Sequence, residues 1–152
     1  MLKNGSQHAQ SLRDGRVVYI DGRRVTDVTT DPAFANTVGS ISKLFDFQSA
    51  PENLELMTYG VEGTGARANR IWQLPASYQE LVERRRGLES WTELHGGFVG
   101  RAPDHVASCI AGMYMGCDVF DAYDPARGKA LAEYYRYGRD NDLDTKYVSI
   151  NP

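Results

Sequence analysis

Arg101 and His105 stand four residues apart within GGFVGRAPDHVAS, residues 96–108, on either side of a predicted helix start at Pro103-Asp104. The spacing brings both side chains into the same space at a helix N-terminus. Backbone N–H groups there already favour an anion. An arginine, a titratable histidine and free amides together suit a phenolate, a carboxylate or a related oxygen anion. Gly96, Gly97 and Gly100 before them allow close backbone approach. The same residues also fit a glycine-rich helix corner in which Arg101 pairs with a surface carboxylate. Spacing alone leaves both readings open.

Other chemistries find less support. No GxGxxG or phosphate loop follows a predicted strand. Cys109 and Cys117 are eight residues apart with no paired CxxC or HxxxH, so no metal or iron–sulfur site is expected. Both cysteines read as small buried thiols. Of the three histidines, His8 reads as an exposed residue of a terminal helix. His95 ends a helix, where a cation is favoured.

The elements that must position Arg101 and His105 follow from local signals. Residues 4–13 predict a short helix capped by Asn4 or Ser6 and ended by Asp14-Gly15. Asp21-Gly22 between Val17–Ile20 and Arg24–Thr26 predicts a hairpin, because a type I′ turn needs φ > 0 at both central residues. Asp31 and Pro32 predict the cap and first residue of a helix running to about Gln48. Its apolar face would be Phe34, Val38, Ile41, Leu44 and Phe45. Leu54–Tyr59 and Arg70–Leu74 read as a second, looser hairpin around Gly60–Asn69. Residues 77–94 predict a helix with Tyr78, Leu81, Val82, Leu88, Trp91 and Leu94 as its apolar stripe. Arg84-Arg85-Arg86 would be its solvated face. The helix after Pro103-Asp104 carries Val106, Ile110, Met113, Cys117 and Phe120 as a core stripe. Asp124-Pro125 breaks it, and a last helix spans about 126–138. The fold class is mainly α with small β-hairpins.

Composition sets the frame. The chain has 152 residues, 41% hydrophobic and 24% charged, with a net charge of −3. These values predict one domain, residues 1–152, and argue against a nucleic-acid partner. No apolar run approaches the roughly 18 residues of a membrane span. The polar N-terminus lacks a signal-peptide core, and two cysteines make no disulfide framework. A cytoplasmic location without membrane attachment is expected.

SLRDGRVVYIDGRRVTDVTTDPAFANTVGSISKLFDFQ, GRAPDHV and the closing INP, in that order, resemble the large component of the 4-hydroxyphenylacetate 3-monooxygenase family. The resemblance covers essentially the whole chain. It implies the N-terminal helical domain of an acyl-CoA-dehydrogenase-like architecture, with the β-barrel and C-terminal helical bundle absent. It implies a reduced-flavin-dependent aromatic hydroxylase that adds oxygen next to a phenol hydroxyl. FADH2 would come from a separate flavin reductase, and this chain alone would not hold the FAD. Arg101 takes the substrate-facing arginine position, His105 falls where 4-hydroxyphenylacetate hydroxylases have a tyrosine, and Tyr147 where they have a histidine. Tyr147 and Asn151 would lie near the flavin. Two departures in three polar positions leave the particular phenol open. A dehydratase branch of the family holds an iron–sulfur cluster, but Cys109 and Cys117 do not supply its spacing. A second polypeptide with the missing domains, or self-association through exposed apolar surface, is implied. The alternative is a non-catalytic helical module that oligomerises or binds an aromatic ligand.

Overall fold

The computed structural model describes residues 2–97 and 104–145. The chain divides into two compact units, Lys3–Leu54 and Met1–Leu2 with Glu55–Pro152. Both are built of helices and short hairpins, in agreement with the expected fold class.

In the first unit, α1 spans Gly5–Ser11. Asn4 caps it through a reciprocal box: its side chain accepts from Gln7 N, and Gln7 returns a carbonyl to Asn4 N, both at 2.9 Å. β1 (Val18–Ile20) and β2 (Arg23–Val25) pair antiparallel with Ile20 opposite Arg23. Asp21 and Gly22 have φ of 49° and 75°, the two positive values that the turn requires. α2 spans Ala35–Ser49 and buries Ile41, Leu44 and Phe45. It begins three residues later than Pro32. Asp31 instead starts a capped turn, accepting from Ala33 N on its carboxylate and from Phe34 N and Ala35 N on its carbonyl. Close packing with α2 also explains Gly5. A Cβ there would stand 2.5 Å from the Ser42 carbonyl oxygen. His8 is buried, not exposed, because its ring stacks on Phe45 at 4.4 Å between centroids.

In the second unit, α3 spans Leu54–Met57, and β3 (Thr58–Gly60) pairs antiparallel with β4 (Arg67–Asn69). A second hairpin therefore exists, but not in the expected strands: Leu54–Met57 is helical, the second strand lies within the expected turn Gly60–Asn69, and Arg70–Leu74 holds no strand. The buried Arg70 guanidinium explains the helical turn before β3. Its Nε and Nη2 donate to the carbonyls of Leu56 and Glu55, at 2.9 and 2.7 Å. Residues 70–72 form a 3₁₀ turn because the Asn69 side chain accepts from Ile71 N at 3.0 Å.

α4 spans Tyr78–His95, capped by Ser77. Gly96 and Gly97 end it in left-handed conformation, φ 58° and 79°, with Gly97 N bonded to the Thr92 carbonyl. Among the described residues nothing approaches the Gly97 Cβ position, so Gly97 serves positive φ and not close contact. Of the expected apolar stripe of α4, Trp91 is buried and Val82 and Leu88 are half-buried, but the rest is not on the buried face. Tyr78 is 81% exposed and Leu81 and Leu94 are 50% exposed, whereas Gly87 and Trp91 are buried. Gly87 faces the Leu56 carbonyl, 3.1 Å from where its Cβ would lie. The close backbone approach there selects a small residue, so the inward face is not the most apolar one.

α5 spans Asp104–Met115, α6 Cys117–Asp121 and α7 Pro125–Asp140. The expected continuous helix to Asp124 is interrupted at Gly116, and its core face is Ala107, Ile110 and Ala111. Met113 is exposed, and Val106, Cys117 and Phe120 are only half-buried. Cys109 is exposed, so neither cysteine is a buried thiol. Small alanines let α5 approach its neighbours, and this close approach overrides the larger apolar residues. Asp124 caps α7, and Gly138 lies where a Cβ would meet the Trp72 ring at 2.4 Å. No described helix is long and apolar enough to cross a membrane.

Candidate functional site

Of the sequence-assigned site residues, the structure places His105. Arg101, Tyr147 and Asn151 lie outside the described residues. His105 is exposed on the first turn of α5, with Nε2 3.9 Å from Cys109 Sγ one turn later. Asp104 puts a carboxylate in that same turn, at the positive end of the helix dipole.

Beneath this turn sits Arg84, which sequence reasoning assigned to a solvated charge run. Arg85 fits that expectation: it is 67% exposed and pairs with Glu89 at 2.6 Å. Arg84 turns inward. Its Nη2 donates to the Ile71 carbonyl at 2.8 Å and to Ser108 Oγ at 2.6 Å. Its buried Nε has no hydrogen-bond partner. Burial pushes its pKa down, against a smaller upward pull from Asp104 and Tyr135. The signal was present in the sequence. Arg84 precedes the buried Trp91 by seven residues, two helical turns, and so shares its face.

The 3₁₀ turn that Arg84 grips is itself anchored from α7. Tyr135 Oη donates to the Trp72 carbonyl at 2.6 Å, and Tyr59 Oη donates to the same carbonyl at 3.3 Å. Tyr114 of α5 stacks on Tyr135 at 4.7 Å, and the Arg139 guanidinium lies 5.6 Å from the Tyr135 ring centre. Desolvation and the Tyr135 hydroxyl hold the Tyr59 phenol far above its ordinary 10. Tyr135 is also raised, chiefly by burial. These phenols are structural donors and not acids at neutral pH.

A cavity of about 550 Å³ lies between Leu2, the β3–β4 hairpin and the end of α7. Val61, Ala66 and Ala68 make its wall. Its two guanidiniums are already engaged, Arg67 with Glu55 at 3.0 Å and Arg139 with Asp140 at 2.7 Å. That lining does not fit a flavin dinucleotide, whose phosphates need uncommitted donors. Among the described residues, no group of three or more His, Cys, Asp or Glu side chains could hold a metal ion.

Residues 4–152 match a family model described as the 4-hydroxyphenylacetate 3-hydroxylase N terminal. The chain is 32% identical over 151 residues to the 4-hydroxyphenylacetate 3-monooxygenase oxygenase component of Geobacillus sp., covering 99% of this chain and 30% of that protein. It is 32% identical over 149 residues to the 4-nitrophenol 2-monooxygenase oxygenase component of Rhodococcus sp., covering 97% of this chain and 28% of that protein. A solved 4-hydroxyphenylacetate 3-monooxygenase oxygenase component, complexed with FAD and 4-hydroxyphenylacetate, superposes with a TM-score of 0.84. Its identity is 27%, over 93% of this chain and 29% of that one. An archaeal 4-hydroxybutyryl-CoA dehydratase from N. maritimus shares the fold at a TM-score of 0.76 and 16% identity, over 95% of this chain and 28% of that one. The chain thus spans about 30% of the length of the curated relatives it matches.

Proposed function

Because the chain belongs to the 4-hydroxyphenylacetate 3-hydroxylase family, matching its N-terminal domain over residues 4–152, we propose that it forms the substrate-facing part of a reduced-flavin-dependent phenol hydroxylase. The observation that carries this reading is the family match over residues 4–152, a span that includes Gly100-Arg101-Ala102-Pro103-Asp104. The relatives are monooxygenases by name, and one solved relative carries both FAD and a phenolic acid. The β-barrel and C-terminal bundle would come from a second polypeptide or from the remainder of a longer chain.

In this reading Arg101 pairs with the phenol oxygen and favours the phenolate. The added negative charge raises electron density at the ring carbon beside that oxygen, the position to be hydroxylated. His105 gives the phenol oxygen a second hydrogen bond, from a ring nitrogen at the solvent-facing turn of α5. Tyr147 and Asn151 would face the flavin side of the pocket. FAD reduced by a separate flavin reductase supplies the activated oxygen.

The test combines the chain with the polypeptide supplying the rest of the enzyme, reduced FAD, oxygen and either 4-hydroxyphenylacetate or 4-nitrophenol. Hydroxylated product is expected only with both polypeptides. Arg101→Ala is expected to lower kcat/KM by about 10²–10³, the usual cost of losing a preorganised charge donor. Full activity in Arg101→Ala overturns its role. His105→Tyr is expected to change the preference between the two phenols by about tenfold. Saturable phenol binding without product, whatever the partner, would instead establish the non-catalytic module.

A further inference from the structure

We propose that Arg84 is a positioning residue of the phenol pocket, acting through Ser108 to fix the first turns of α5. The inference rests on the reading above, in which the residues at the start of α5 face the phenol.

Arg84 is an unusual way to join two helices. A half-buried guanidinium has lost much of its hydration, and among the described residues no carboxylate lies within ion-pair distance of it. Its Nη2 is committed to one main-chain carbonyl and one hydroxyl, and its Nε is left buried without a partner. An apolar side chain in its place would avoid those costs. The arrangement gives geometry in return. The Ile71 carbonyl belongs to the 3₁₀ turn whose Ile71 and Trp72 side chains are 2% and 0% exposed. The Trp72 carbonyl of that turn is held in addition by Tyr135 and Tyr59. Arg84 transfers this rigidity to Ser108, four residues after Asp104 and three after His105. The 2.8 Å bond anchors the guanidinium to the 3₁₀ turn, and the 2.6 Å bond from the same nitrogen ties that anchor to Ser108 near the N-terminal end of α5. A pocket group misplaced by about 1 Å costs about 10²-fold in rate, so such a tether has a functional consequence that hydrophobic packing would not secure.

The role proposed for Ser108 and Arg84 is to place α5, not to touch the phenol. A merely structural role would lower the folded fraction, and with it kcat, while leaving KM for the phenol unchanged. A positioning role moves KM.

Arg84→Met, Ser108→Ala and the double variant would be measured in the complete two-part enzyme with 4-hydroxyphenylacetate and 4-nitrophenol. Ser108→Ala keeps the grip on Ile71 and releases only α5, so it serves even where Arg84→Met fails to fold. We expect each single variant to raise KM for the phenol about tenfold, with the affinity for reduced FAD unchanged. The double variant should be no worse than Arg84→Met, because both remove the same contact. In the 152-residue chain, hydrogen exchange of the amides of residues 108–112, which bond within α5, should accelerate at least about tenfold, while α7 keeps its protection. Wild-type KM in Ser108→Ala, or additive effects in the double variant, overturns the positioning role alone. A wild-type enzyme that neither binds nor hydroxylates a phenol overturns the functional reading, and the positioning role with it, whatever the exchange pattern.

Discussion

At the residue scale, the most consequential side chains are polar groups placed where water is scarce. Tyr59 and Tyr135 share the Trp72 carbonyl, and burial favours their neutral form. Their folded-state pKa lies above the unfolded value of 10. Their contribution to stability is therefore full below about pH 10 and is lost as pH rises above it, when unfolded phenols ionise and folded ones resist. Tyr59→Phe should flatten this alkaline loss. Urea midpoints for wild type and Tyr59→Phe at about pH 9 and about pH 11 would show it. Parallel losses in the two proteins would mean that Tyr59 ionises freely in the fold. The same scarcity of water makes Arg84 more than another surface cation.

At the element scale, caps and turns decide where helices begin. Asp31 binds both arms of Arg23, at 2.7 and 3.1 Å, and accepts from Ala33 N at 3.0 Å. The Arg23 bond, then the Ala33 N–H, holds its carboxyl below the ordinary 3.8. A depressed folded pKa gives stability that is present above 3.8 and lost as pH falls through the folded value. Asp31→Asn keeps an acceptor for Ala33 N and removes only the charge. Its melting temperature should lie below wild type at neutral pH, and the gap should close as pH falls below 3.8. A gap that persists at low pH would assign the stabilisation to the turn geometry and not to the ion pair. The late start of α2 has the same origin, since the turn that Asp31 organises occupies residues 32–34 before helical bonding begins.

At the scale of the whole molecule, the chain carries apolar surface that its own core does not use. Met115, Val119 and Tyr123, spaced by four along the end of α5, α6 and the turn after it, are 58%, 65% and 80% exposed. The relatives are more than three times as long, and a face of this kind suits a covering partner. The chain alone is expected to self-associate as its concentration rises, read by sedimentation velocity. Met115→Glu with Val119→Glu should sediment as a monomer with an unchanged circular dichroism spectrum. A wild-type monomer at the highest concentration would show that this face needs no cover.

Sequence by itself determined the parts governed by neighbours along the chain. The Asn4 cap, the Asp21-Gly22 turn and the helix break at Asp124-Pro125 are local, since each needs only a few consecutive residues. The resemblance carried by residues 11–48, GRAPDHV and INP named the family for the same reason, because it is read in chain order. Only the tertiary structure decided which faces are inside. Gly87 and Ala107 are buried while Leu81, Leu94 and Met113 are exposed. Close backbone approach selects small residues, and hydrophobicity along one helix does not record what the helix will meet. It also buried His8 against Phe45 and turned Arg84, but not Arg85, into the protein. The face shared with Trp91 marks Arg84 as inward in the sequence, but its partners, a carbonyl 13 residues away and a hydroxyl 24 residues away, are set only by the fold.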